Sequence, residues 1–156
     1  MSAFEDTITI LVADDDEEDR MLFQDAFEES LLSSYDLRFV EDGQQLMDYL
    51  NREGAYGSPD SAPRPGIILL DLNMPKKDGR EALAEIKANP RLSCIPIIVM
   101  TTSGAERDIL GTYNLGVNSL IRKPDSFDEL IQIMRIIKEY WFGMVELPAY
   151  LTAYHE

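Results

Sequence analysis

Apolar runs and amphipathic stretches alternate along most of this chain. TITILVA (7–13), LRFV (37–40), Ile67 to Asp71, Pro96 to Met100 and Ser119 to Arg122 are short and largely apolar, as strands are. Between them the spacing turns helical. From Asp19 to about Leu32 the apolar positions are Met21, Leu22, Ala26, Phe27 and Leu31. From Gln44 to Arg52 they are Leu46, Met47, Tyr49 and Leu50. Further helices are expected over Arg80 to Ala88, stopped by Asn89-Pro90, and over Ala105 to Leu115, ended by Gly116. Ser126 is placed to cap a long last helix running to about Phe142. Residues 52–66, rich in Gly, Pro and Ser, read as a loop, and Leu147-Pro148 interrupts any helix in the tail.

Strict alternation of five strands and five helices implies an α/β fold with a parallel sheet. The doubly wound, flavodoxin-like class, (βα)5 with strand order 2-1-3-4-5, fits this count. Its site lies beyond the carboxyl ends of the strands, where the order reverses between the first and the third. The Ile67 run is continuous and apolar, so it belongs in the middle of the sheet.

The 156 residues suit one domain with a real core. Twenty-nine acidic against 14 basic residues give a net charge of −15, which argues against nucleic acid and anionic membrane as partners. The one cysteine, Cys94, is expected to be a half-buried structural thiol, and the one histidine, His155, is next to last. One cysteine and one histidine so placed argue against a His/Cys metal cluster or a Ser-His-Asp triad. MSAFEDTIT lacks the basic and apolar regions of a signal peptide, and no apolar run reaches membrane-spanning length. A cytoplasmic location is expected.

The chemistry sits at the strand ends. Asp14 and Asp15 follow ILVA, Asp71 follows GIILL, Thr101 follows PIIVM, and Lys123-Pro124 follows SLIR. Converging carboxylates repel one another and call for a cation. Mg²⁺ suits such a corner, because it takes few carboxylates, keeps waters and binds phosphate oxygens. A hydroxyl and an ammonium beside it would meet phosphoryl oxygens, so the constellation is that of a Mg²⁺-dependent phosphoryl site. Asp16, the third acid in the run, is expected to cap the first helix.

VADDDEEDR, ILLDLNMPKKDG, VMTTS and RKP, in that order, closely resemble the receiver domain of two-component response regulators. The resemblance spans roughly residues 7–140. The long loop before the third strand, DLNMPKKDGREALAEIK, LGVNSLIRKP and EYWFGMVELP further resemble the small response regulators that partner bacterial and cyanobacterial phytochrome histidine kinases. The resemblance implies Asp71 as phosphoacceptor and Thr101 as the switch hydroxyl. It implies Lys123 as the phosphoryl-binding cation and Asp14, Asp15, Asp71 and the Asn73 carbonyl as the Mg²⁺ corner. It also implies a sensor histidine kinase as donor. The family often has a cis bond where Lys123-Pro124 stands. A domain over 7–142 and an extension over 143–156 are expected.

Two features depart from the family pattern. Leu120 stands three residues before Lys123, where many receivers have an aromatic residue that follows the Thr. Asp125 follows Lys-Pro, where an apolar residue is common. On the last helix Phe127, Leu130, Met134, Ile137 and Trp141 share one face, yet Ile133, Ile136 and Tyr140 lie on a neighbouring face. A two-fold homodimer through the last helix and fifth strand is therefore expected, with Phe142, Val145, Leu147 and Tyr150 of the tail contributing. The competing arrangement folds the tail back over those residues within one chain.

Within the receiver class a phosphate sink or relay intermediate stays open beside an output switch, and two other functions compete. A Mg²⁺-dependent aspartyl phosphatase of the haloacid-dehalogenase type needs an acid two residues after its nucleophile, and that position is Asn73. A pseudo-receiver, acting as an interaction module without phosphate, usually lacks one of the Asp, Thr or Lys positions, and all are present.

Overall fold

The computed structural model describes residues 8–30, 35–102 and 106–148. Its strands are β1 (Thr9–Ala13), β2 (Asp36–Val40), β3 (Ile67–Leu70), β4 (Ile97–Thr101) and β5 (Ser119–Arg122). Its α-helices are α1 (Glu17–Glu29), α2 (Gly43–Asn51), α3 (Gly79–Ala88), α4 (Glu106–Asn114) and α5 (Phe127–Gly143). The strands form one parallel sheet in the order β2-β1-β3-β4-β5. This is the flavodoxin-like arrangement expected from the alternation, with β3 at the centre.

Each strand's two-residue period divides its side chains between the two faces. Leu11, Ala13, Ile68, Leu70, Ile97 and Val99 pack with Leu46 and Leu50 of α2 and Leu83 and Ile86 of α3. Ile10, Val12, Ile67, Leu69, Ile98 and Met100 pack on the other face with Phe23 and Phe27 of α1 and Leu130, Met134 and Ile137 of α5. β1, β3 and β4 are buried along their whole length, which is why they read as unbroken apolar runs.

Capping side chains start the helices where the loops end. The Asp16 carboxylate accepts from the backbone N–H groups of Glu18 and Asp19, as expected for a cap. Asp42 accepts from Gln45 N–H, and Ser126 accepts from Glu129 N–H. Asp78 and Glu81 form a reciprocal capping box on α3, next to the site. Asp78→Ala is expected to lower stability by about 1 kcal/mol, read as a shifted midpoint in urea at unchanged slope.

Several local expectations change. Of the apolar positions expected on α1, Ala26 and Phe27 face the sheet, but Met21 and Leu22 are exposed and Phe23 is buried in their place. Nearly adjacent apolar residues surround this helix, so spacing alone does not choose the face. Leu31 lies outside the described residues. The 52–66 connection contains two short 3-10 turns, Gly54–Tyr56 and Pro59–Ser61. The Tyr49 hydroxyl fastens it by donating to the Pro63 carbonyl at 2.7 Å. Cys94 is exposed, because Leu92 and Ile95 occupy the core on either side of it.

Candidate functional site

The strand ends converge as the topology requires. Asp14 N–H donates to the Val40 carbonyl and Asp71 N–H to the Ala13 carbonyl, both at 3.0 Å, so the two acidic positions are locked side by side. Lys123 N–H donates to the Thr101 carbonyl at 2.8 Å, which ties the ends of β4 and β5. Asp14, Asp71 and Thr101 are buried, and Asp15 is exposed. One carboxylate oxygen from each of Asp14, Asp15 and Asp71 can be chosen so that all lie within 4.8 Å of one another.

Lys123 reaches into this cluster. Its ammonium donates to Asp14 Oδ2 at 2.9 Å, Asp71 Oδ2 at 3.0 Å and Asp19 Oδ2 at 2.8 Å. Burial pulls the Lys123 pKa down, but the hydrogen bonds to Asp19, Asp14 and Asp71 outweigh it and hold the ammonium well above its ordinary range. Asp14 moves the opposite way from a simple ion-pair partner. Its burial pushes the carboxyl up, against the pull of the Asp16 N–H and of Lys123. Three carboxylates and one ammonium leave the corner net negative, so the cation is firmly charged while the buried acid is strained.

The backbone around Asp71 is clamped. Asn73 N–H donates to Asp71 Oδ1 at 3.0 Å, and Asn73 Nδ2 lies 3.4 Å from Thr101 Oγ1. Gly79 opens α3 against the Asp71 backbone, where an added Cβ would stand 2.4 Å from the Asp71 carbonyl oxygen. Gly43 opens α2 against Lys77 in the same loop, where a Cβ would stand 1.9 Å from the Lys77 carbonyl oxygen. Lys76, at φ 63°, pairs with the buried Asp42 carboxylate at 3.5 Å. Lys123–Pro124 is trans.

The donor set fits a hard divalent cation. It is all oxygen, it converges from two loops, and it carries surplus negative charge. Its exposed member, Asp15, leaves an open side for water or a phosphate oxygen.

A model of the response regulator receiver domain matches residues 10–135. The chain belongs to the response regulator receiver family. The response regulator Rcp1 of Synechocystis is 41% identical over 140 residues, which is 90% of this chain and 92% of Rcp1. A crystal structure of the phosphorylated cyanobacterial phytochrome response regulator RcpA is 43% identical with a TM-score of 0.83, covering 91% of this chain and 99% of that one. The Mn²⁺-bound form of Rcp1 has a TM-score of 0.78 at 41% identity, covering 90% of this chain and 99% of that one. Receivers bind divalent metal, and the acidic corner of this receiver is built from Asp14, Asp15 and Asp71. Among the described residues, no helix is long and apolar enough to cross a membrane.

The residues singled out from the sequence, Asp14, Asp15, Asp71, Asn73, Thr101 and Lys123, thus meet at one end of the sheet. Two partners had gone unnoticed. Asp19, in the first turn of α1, bonds Lys123. Arg20 Nη1 donates to the Asp14 carbonyl at 2.9 Å. Both lie in the acidic string after β1, where nothing in the spacing separates them from a solvated helix start.

Proposed function

We propose that in this receiver, as part of a two-component phosphorelay, Asp71 takes a phosphoryl group from a phosphohistidine on a sensor histidine kinase of the phytochrome type. The observation that carries the reading is the Lys123 ammonium bridging Asp14 and Asp71 beside a three-carboxylate corner. The phytochrome partnership is supported by the likeness to the cyanobacterial phytochrome response regulator RcpA. In the transfer, an Asp71 carboxylate oxygen attacks phosphorus, the P–N bond breaks, and its electron pair leaves with the imidazole. Asp14, Asp15, Asp71 and the Asn73 carbonyl would hold Mg²⁺, which when bound neutralises charge on the transferring group. Lys123 would meet one phosphoryl oxygen and the Thr101 hydroxyl would donate to another. The Asn73 side chain, placed beside Thr101, is positioned to influence attacking water. The same protein thereby catalyses only its own phosphorylation and dephosphorylation.

Acetyl phosphate with Mg²⁺ should give one phosphoryl adduct by intact mass, absent from Asp71→Asn and from samples with chelator. An adduct of equal yield on Asp71→Asn would remove the assignment. The pseudo-receiver reading requires that no adduct form from acetyl phosphate or from a kinase.

The homodimer is proposed with a smaller interface than the sequence implied. Ile136 and Tyr140 are 62% and 50% exposed on α5, beside a hollow of about 450 Å³ shared with Ser119, Ile121 and Trp141 along the β5 edge. Two tail residues are withdrawn from it. Phe142 stacks on Tyr35 with ring centroids 4.7 Å apart, and Leu147 is buried against the strand face near Gly66. These two residues pack within the chain, and Ile136 and Tyr140 stay uncovered by them. Val145 is half-buried, and Tyr150 lies outside the described residues. Ile136→Asp is expected to convert a dimer to a monomer in sedimentation velocity without loss of the α-helical spectrum. A wild-type monomer at micromolar concentration would end the proposal.

A further inference from the structure

The Lys123 ammonium has three N–H donors, and all three are occupied by carboxylates. These three acceptors are not equivalent. Asp14 and Asp71 belong to the convergent acidic corner with Asp15, whereas Asp19 stands outside it. Asp19 projects from the first turn of α1, and its side chain is one-third exposed. Among the described residues, Lys123 is its ion-pair partner. A cation entering the corner would relieve Asp14 and Asp71 of their dependence on Lys123. It would leave Asp19 where it is, still holding the third donor.

We infer that Asp19 is a resident counter-anion that competes with the phosphoryl group for Lys123. This rests on the receiver reading of the site. A phosphoryl oxygen arriving on Asp71 needs a free N–H of Lys123, and Asp19 already holds one at 2.8 Å. Asp19 also adds negative charge within a few ångströms of an incoming anion. Both effects weaken anion binding, so Asp19 is a positioning residue that lowers phosphoryl occupancy. An alternative account makes Asp19 only an acid at a helix start, favourable with the helix dipole. That role would not alter anion affinity through Lys123.

The probe is beryllium trifluoride, a phosphoryl mimic for aspartate, titrated calorimetrically into the Mg²⁺-loaded full chain. Asp19→Asn is expected to bind it about fivefold more tightly, a modest part of one unit charge at a partly screened site. Asp19→Ala should move the same way, and Asp19→Glu should return toward wild type. Mg²⁺ affinity measured without fluoride should stay level or fall, because losing a negative charge cannot favour a cation. Tighter probe binding without tighter Mg²⁺ binding separates the effect from general loosening, which weakens both ligands.

In a Lys123→Gln background the gain from Asp19→Asn should shrink or vanish. Unchanged or weaker beryllium trifluoride binding by Asp19→Asn would overturn the inference. So would a gain that persists undiminished without Lys123. If wild type binds the probe and Asp19→Asn shows no gain, only the role of Asp19 falls. If Mg²⁺-loaded wild type does not bind it, the phosphoacceptor reading of the site falls and this inference falls with it.

Discussion

Lys123→Met is expected to destabilise the protein by about 3 kcal/mol at neutral pH and low divalent-ion concentration. Removing the ammonium leaves Asp14, Asp71 and Asp19 without the cation that each of them contacts. Asp14 is 1% exposed and cannot recover its solvation. The pH dependence follows from the two shifts. Lys123 is raised above its ordinary value of 10.5, so its stabilisation is complete below that value and is lost only as pH climbs through the higher folded value. The wild-type contribution is therefore constant across neutral pH. Asp14 is raised above 3.8, so its charged form strains the fold above the folded value, and that strain is gone below the unfolded one. The gap between wild type and Lys123→Met should thus narrow as pH falls toward 3.8, and it should narrow on adding Mg²⁺. Urea unfolding at several pH values checks both trends. A gap that is constant with pH would contradict the charge argument.

Gly43→Ala should lower stability by about 2 kcal/mol, although Ala favours helices. The propensity gain is at most about 1 kcal/mol. Against it, the new Cβ would lie 1.9 Å from the Lys77 carbonyl oxygen and 2.6 Å from its carbonyl carbon. Those are backbone atoms, so the loop itself must move, at a cost of about 3 kcal/mol. That loop joins Asp71 to α3, so slower phosphorylation by acetyl phosphate should accompany the lost stability. Gly111 supplies the internal comparison. It lies within α4 and a Cβ there meets nothing within 4 Å. Gly111→Ala should therefore raise stability by about 0.5–1 kcal/mol. Thermal unfolding of the pair decides whether contact or propensity sets the sign.

The fold was legible because its central strands are covered on both faces. Ile67–Leu70 and Ile97–Met100 must then be apolar throughout, and turn chemistry such as Asn89-Pro90 and Gly116 marks where α3 and α4 end. The site was legible because a doubly wound sheet places its chemistry at strand ends, and Asp14, Asp71, Thr101 and Lys123 are each adjacent to one. What escaped depended on contacts between distant parts of the chain. The Asp19–Lys123 bond joins residues separated by 104 positions and exists only once α1 packs beside the β5 terminus. The core face of α1 escaped because apolar residues at 21, 22, 23, 26 and 27 offer more than one helical stripe. The end of α5 escaped because Phe142 finds its partner in Tyr35, far earlier in the chain, just before β2.

The central claim is that Asp71 carries the phosphoryl group. Borohydride reduces an aspartyl phosphate to homoserine, which marks the acceptor position permanently. The protein should be phosphorylated with acetyl phosphate and Mg²⁺, reduced, digested and mapped by tandem mass spectrometry. Homoserine at position 71, lost when Mg²⁺ is chelated, is the expected result. Homoserine at position 14, 15 or 19 instead, or adduct formation unaffected by chelation, would contradict the assignment.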